Sequence, residues 1–402
     1  MKPVRITQLL LRRPGRSVEP GTGTYERAVT LGHDGDPAGM RRLLARWALA
    51  ADPGADPEKL FRALLELGLY ARAFALAETL LDRPGTDRLV IKDPFIDIRF
   101  APPRGYYEAH LAALSRLRAA GNAARWKNYY AGVLLRRLNR LPEALRAFGL
   151  AAPKSRRYGW MRYQRGWTVL NSGGSPGESA RDLGAAVLSD PSDWTARCLL
   201  GEALLCSGKS REGFAHFSAA LKAAPAQLAD ITAWRGQLRL ITGDYRGAEA
   251  DLTAALKAGG LFAYCWLGAA RLRLGRRAGA LKLLARAVRL IPGDYEARLW
   301  YCEALRLAGR TAEAERQLAH AGDGNWARAN KALLLARAGR YREAYGWYMK
   351  LDEGIRLGLE KKSGRGPVDA DGLAALLDLL FALAPGNRTD KVYLYPRLFS
   401  RR

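Results

Sequence analysis

Apolar positions between Trp194 and Leu351 recur in a fixed order. Four windows begin at Trp194, Asp230, Leu261 and Tyr295, each with two apolar-rich stretches at helical spacing around a glycine. Those glycines, Gly208, Gly243, Gly275 and Gly309, lie 35, 32 and 34 residues apart, and a weaker fifth unit surrounds Gly339. A period of this length is the mark of stacked supersecondary units.

The same residue types stand at the same offsets from each glycine. Seven residues before it comes a small residue, Gly201, Gly236, Gly268, Cys302 or Ala332. Five after it stand Gly213, Ala248, Ala280, Ala314 and Ala344, where a close helix contact leaves no room for bulk. Nine after it a large group fills the space between units, as Phe217, Leu252, Leu284, Leu318 and Tyr348. Twelve after it come Ala220, Ala255, Ala287 and Ala321, and Pro225 and Pro292 close two of the units. Each unit therefore predicts helix, tight turn, helix, with small and large residues forming groove and ridge.

This pattern of a small residue in the first helix, a glycine turn, an alanine and a closing proline resembles the tetratricopeptide repeat family. The match is good over about residues 194–321 and extends loosely upstream, to units around Asn139, Gly174 and Gly68. The resemblance implies an all-α fold, a right-handed α-solenoid of stacked antiparallel helix pairs. It also implies a concave groove lined by the first helix of each pair.

Three segments break the pattern and set the expected organisation. Residues 1–35 are rich in Arg, Pro and Gly and read as a flexible basic arm. An N-terminal helical cap follows over 36–105, within which 83–105 is β-branched, aromatic and bounded by prolines, so it reads as irregular and extended. The repeat array is expected over 106–352. Residues 353–402 read as a cap, with a linker at Lys361–Gly366, a helix from Asp369 to Pro385 and the basic-aromatic tail KVYLYPRLFSRR.

Composition changes this picture little, but charge does. The chain has 402 residues, 49% hydrophobic and 26% charged, so it folds rather than stays disordered. Its net charge of +26 would attract nucleic acid, anionic lipid or acidic protein. Most of the basic residues are arginines scattered among Ala and Leu, which equally describes a solvated outer surface. No RNA-recognition signature or polar code residue recurs per unit. The longest apolar stretch, Leu373–Ala384, is interrupted by Asp378 and is too short to span a bilayer. The four cysteines, Cys198, Cys206, Cys265 and Cys302, lack metal or redox spacing and fit a reducing, cytoplasmic setting.

No constellation of nucleophile, base and stabiliser is visible, so the chain reads as non-catalytic, without cofactor or metal. His33, His110, His216 and His320 are far apart in sequence. Asp34 and Asp36 beside His33 could hold a cation, although Asp36 also suits the cap of a helix starting at Pro37. NSGGSPGES from Asn171 is glycine-rich like a phosphate loop but lacks the Lys-Ser/Thr ending, so a lengthened turn explains it better.

The most informative constellation is aromatic. Nine residues before the turn glycine stand Leu199, Trp234, Trp266, Trp300 and Asn330, a column of three tryptophans in adjacent units. In the resembling family such positions can face the groove, where tryptophan supplies binding anchors. The alternative is that the rings pack between neighbouring helices. Three residues further on are Glu202, Gln237, Ala269 and Glu303, with Arg273 and Arg306 near the helix ends. This mixed groove departs from the Lys and Asn set with which some family members clamp a C-terminal carboxylate. The expectation is a scaffold or adaptor holding a protein or peptide through Trp234, Trp266, Trp300, Glu202, Glu303, Arg273 and Arg306. The alternatives are a nucleic-acid or polyanion binder, or an accessory subunit of an enzyme in which Leu89–Pro103 adds an edge strand.

Overall fold

The computed structural model describes residues 23–33, 36–49, 56–82, 104–151, 156–172, 174–322, 324–364 and 366–383. Of the flexible arm expected over 1–35, residues 1–22 lie outside the described residues and Thr24–His33 is a helix; nearly all of the irregular 83–105 segment and the tail from 384 also lie outside the described residues. The chain divides into two compact units, with the boundary between Ala196 and Arg197.

Among the described residues every regular element is a helix. The upstream unit contains α1 (Thr24–His33), α2 (Pro37–Leu49), α3 (Pro57–Glu66), α4 (Tyr70–Asp82), α5 (Arg104–Arg116), α6 (Gly121–Arg137), α7 (Leu141–Ala151), α8 (Arg162–Asn171) and α9 (Pro176–Ser189). The boundary falls within α10 (Trp194–Cys206), which pairs with α11 (Ser210–Ala223). The downstream unit then repeats the pairing: α12 (Leu228–Thr242) with α13 (Tyr245–Lys257), α14 (Ala263–Arg273) with α15 (Arg277–Leu290), α16 (Tyr295–Leu307) with α17 (Thr311–Leu318), and α18 (Asn325–Arg337) with α19 (Tyr341–Tyr348). Two further helices, α20 (Glu353–Ser363) and α21 (Ala370–Leu383), close it, and α21 packs on α18 and α19. The fold is the expected helical solenoid of stacked helix pairs.

One turn is used again and again. Gly208, Gly243, Gly275, Gly309 and Gly339 have φ between 73° and 89°, a region that costs an L side chain energy. The residue after each glycine donates its N–H to the carbonyl four residues before the glycine, for example Arg276 to Arg271 at 2.8 Å and Arg310 to Leu305 at 2.9 Å. Asn139 takes the same role at φ 62° between α6 and α7, being the non-glycine residue that best tolerates that conformation. Arg310 and Arg340 then reach three residues forward to Glu313 and Glu343 at 2.6 and 2.5 Å, clipping the start of each second helix. Those hydrogen bonds hold both carboxyls below their ordinary range.

Two local expectations have clear outcomes. Asp36 caps α2, accepting the Gly39 N–H at 2.8 Å, and Ser175 caps α9 within the lengthened turn. The linker expected from Lys361 is shorter, because α20 runs to Ser363 and stops only where Gly364 turns left-handed at φ 77°. Lys361 and Lys362 are good helix formers and continue the helix until a glycine ends it.

Candidate functional site

Within each downstream pair, the small residue seven before the turn lets the two helices touch. A Cβ added at Gly236 would lie 2.7 Å from Leu252 Cγ, and one at Gly268 would lie 2.5 Å from Leu284 Cγ. At the same place in α16, Cys302 points its thiol at the Ala314 carbonyl 3.6 Å away. Ion pairs reinforce the contact. Arg235 grips Asp251 with two hydrogen bonds of 2.8 and 2.6 Å, and Arg239 adds a third charge contact at 2.9 Å. Arg271 reaches Glu249 of the preceding second helix at 3.0 Å.

The tryptophan column turns to a different side. Trp234, Trp266 and Trp300 are 1%, 1% and 0% exposed. The Trp234 indole N–H donates to Glu202 Oε2 at 2.8 Å, and its ring meets Phe217 edge-on at 5.9 Å. The Arg273 guanidinium lies 5.7 Å from the Trp300 ring centroid. Trp234 and Trp300 therefore each lean on the preceding pair. The expectation of three rings standing free in a groove as anchors is corrected: all three rings are buried, Trp234 against Glu202 and Phe217 and Trp300 beside Arg273 of the preceding pair.

The structure thus brings Glu202 to Trp234 and Arg273 to Trp300. Glu202 and Glu303 are 2% and 5% exposed, whereas Arg273 and Arg306 are half-buried. Asp230, in the first turn of α12, is partly buried, and desolvation pushes its carboxyl above the ordinary value. His216 is half-buried on α11 and held below its ordinary value, first by burial and then by Arg197. His320 is exposed.

One polar cluster escaped the sequence reading. In the upstream unit, Glu66 of α3, Tyr70 of α4 and Tyr106 and His110 of α5 are all buried, with Arg41 of α2 beside them. Arg41 Nη2 lies 3.2 Å from His110 Nε2, and because arginine can only donate, Nε2 accepts. The ring proton therefore sits on Nδ1 and is donated to the Tyr70 oxygen at 2.7 Å. The Tyr70 hydroxyl in turn donates to the His110 carbonyl at 3.3 Å, while Tyr106 donates to Glu66. Burial, then the Glu66 charge, push both phenols above their ordinary values. The five residues come from four helices and are scattered from Arg41 to His110, so no local spacing announces them. These hydrogen bonds join one helix to another, which suits tying helices together more than turning over a substrate.

Among the described residues no group of three His, Cys, Asp or Glu side chains could hold a metal ion. No described helix is long and apolar enough to cross a membrane.

The geometry defines a class, the helical-hairpin solenoid with glycine turns and small-residue hairpin contacts. Residues 271–325, which contain α15, α16 and α17, match the family model described as tetratricopeptide repeat. That stretch is similar to tetratricopeptide repeats, in keeping with the helix pairs on either side of it. The fold of the chain is similar to that of the apo quorum sensor NprR from B. thuringiensis, at TM-score 0.50 and 12% identity over 81% of this chain and 96% of that one. The thermophilic TPR protein TTC0263 of Thermus thermophilus matches at 0.39 and 24% identity, over 45% of this chain and 98% of that one. Yeast Tom70 matches at 0.45 and 17%, over 94% and 85%. At these identities the likeness concerns the fold alone. No curated protein matches the chain in sequence.

Proposed function

We propose that the chain is a non-catalytic adaptor that holds a partner polypeptide along the inner face of its downstream repeats. The observation that carries this reading is the register of the first helices. Glu202 of one meets Trp234 of the next, and the same positions of later pairs carry Trp266, Trp300 and Glu303, which supports reading this side of the repeats as one surface. Within the array expected over 106–352, Trp234, Trp266 and Trp300 serve as the rigid backing of that surface. Glu202, Glu303, Arg273 and Arg306 supply its polar register. A short stretch of polypeptide buried on such a surface gains most from a few central contacts. A cytoplasmic location belongs to the same reading, supported by four buried thiols.

The test is affinity capture from native lysate with nuclease present, comparing the wild type with Glu202→Lys combined with Glu303→Lys. A defined protein retained by the wild type and lost by the variant, with helicity unchanged by circular dichroism, supports the adaptor. Capture that ignores both charge reversals contradicts it.

A polyanion-binding reading has one specific observation in its favour. Helix α15 carries Arg277, Lys282, Arg286 and Arg289, all exposed, and no acidic residue. Binding through this helix would fall steeply with salt, by nearly one unit of log–log slope per phosphate neutralised. Binding at the indole-backed surface would change little over the same range.

A further inference from the structure

The second helices of the downstream unit turn one side to their own pair and the other to solvent. Positions five, nine and twelve after each turn glycine are buried in α11, α13 and α15, among them Phe217, Leu252 and Leu284 at 0% exposure. At about 100° per residue these positions share one side of the helix, and positions three, seven and fourteen fall on the opposite side. There the chain carries Arg211, Ala215 and Lys222 in α11, Arg246, Ala250 and Lys257 in α13, and Ala278, Lys282 and Arg289 in α15, all exposed. Six of these are cations, three are alanines, and none is acidic or aromatic. The carboxylates of the same helices are engaged elsewhere. Glu212 pairs with Lys209, Asp251 with Arg235, and Glu249 with Arg271 and Arg276, while α15 has no acid.

We infer that this outer face binds double-stranded nucleic acid through its phosphates, without reading its sequence. The inference rests on the polyanion reading of α15, extends that surface to the two second helices before it, and names its ligand. Within α11 and within α13 the two cations are eleven residues apart, about 16 Å along the helix. Lys222, Lys257 and Arg289 hold the same place in successive pairs, as do Arg211 and Arg246, with Lys282 between the two positions on α15. Two tracks of cations with short alanines between them suit the two phosphate strands that flank a groove. A single strand calls for aromatic platforms on which bases stack, and these positions have none. A bilayer surface calls for apolar side chains beside the cations. The exposed Leu228, Leu261 and Leu290 lie at or beside helix ends, off this side. Phosphate contacts position a protein on a duplex but carry no base information. A partner polypeptide on the inner face and a duplex on the outer one use opposite sides of the helix pairs, so the adaptor can hold both.

The experiment is fluorescence anisotropy of the full chain with a labelled random-sequence duplex of about 20 base pairs, as DNA and as RNA, over a salt series. The slope of log affinity against log salt should be about −5, the value for six phosphates neutralised at about 0.9 each. Lys222→Glu, Lys257→Glu and Arg289→Glu together should weaken binding at least about tenfold and reduce that slope by about 3, with helicity unchanged by circular dichroism. The same three residues changed to Gln should reduce the slope equally, which covers the case where charge reversal disturbs folding. Arg118→Glu, Arg342→Glu and Lys361→Glu, equally exposed but away from this face, should leave affinity within about threefold, because salt screens distant charge. Tighter binding of the DNA or of the RNA form names the source of the duplex, and either supports the inference. Equal losses from the two sets of Glu changes would make net charge the cause and overturn it. Single-stranded DNA, phosphatidylserine vesicles or polyglutamate bound as tightly as the duplex, and released by the same three changes, would overturn the duplex while the polyanion reading of α15 stands. Absence of salt-dependent binding to any of these ligands would defeat both.

Discussion

The two units solve the same packing problem with different chemistry. The upstream core is aromatic and particular: Trp126 stacks on Tyr130 at 5.8 Å, Tyr129 meets Phe148 and Trp160 edge-on, and the Trp126 and Tyr158 polar tips share Glu78 at 2.7 and 2.8 Å. The downstream core repeats one contact, a small residue in the first helix against Leu252, Leu284 or their equivalents in the second. A contact made once must be specified by distinctive groups and hydrogen bonds. One made repeatedly is specified by nothing more than alternating size. The upstream unit should therefore be sensitive to loss of individual large groups, and the downstream unit to gain of small ones.

The largest effect is expected at Trp126. Trp126→Ala empties a fully buried indole site and takes one hydrogen bond from the Glu78 carboxylate, so the upstream unit should lose about 3–5 kcal/mol in denaturant unfolding. A loss under about 1 kcal/mol would break the contrast between the units. Glu66→Gln comes next, since it leaves shape intact but removes the charge that Tyr106 bonds and His110 faces at 3.7 Å. It should cost about 1.5–3 kcal/mol and let both Tyr70 and Tyr106 ionise at lower pH in an ultraviolet titration. Unchanged phenol titration would remove Glu66 as the shared cause.

Downstream, adding one methyl should discriminate sharply between glycines of the same repeat class. Gly268→Ala forces Leu284 to move and should cost about 1–3 kcal/mol. Gly346→Ala, in α19 with nothing within 4 Å, should instead stabilise by about 0.5–1 kcal/mol through helix propensity. Equal effects at the two sites would mean that the small-residue positions do not set the helix contact.

Much of the downstream fold was legible because repetition averages out accident. Five glycines in register, each followed by Gly213, Ala248, Ala280, Ala314 or Ala344, spell out the same hairpin. The upstream polar cluster was not legible, because Glu66, Tyr70, Tyr106 and His110 meet only after α3, α4 and α5 have packed. The tryptophan column was half legible. Its period was plain in the sequence, but period alone gives a shared direction and not the neighbour lying there. That neighbour, Glu202 for Trp234 and Arg273 for Trp300, belongs to the preceding pair.

The smallest expected effect concerns pH. Burial raises the Asp230 carboxyl in the folded state, so the stability tied to its protonated form is present below the unfolded pKa and is lost as pH rises through the folded one. Asp230→Asn should raise the melting temperature by about 1–3 °C at about pH 7 and leave it unchanged near pH 3. A gain of equal size at both pH values would assign the effect to something other than desolvation of the charge.

The central claim is that this protein meets its partner polypeptide along the inner face of the downstream repeats and not on its basic outer helices. Hydrogen-exchange mass spectrometry of the full chain, with and without the captured partner, tests it most directly. The first helices α12, α14 and α16 report the inner face, and α15, where Lys282 is exposed, reports the outer one. Slower exchange in the first helices with the partner bound, and unchanged exchange in α15, is the result predicted. Slower exchange in α15 alone would contradict it.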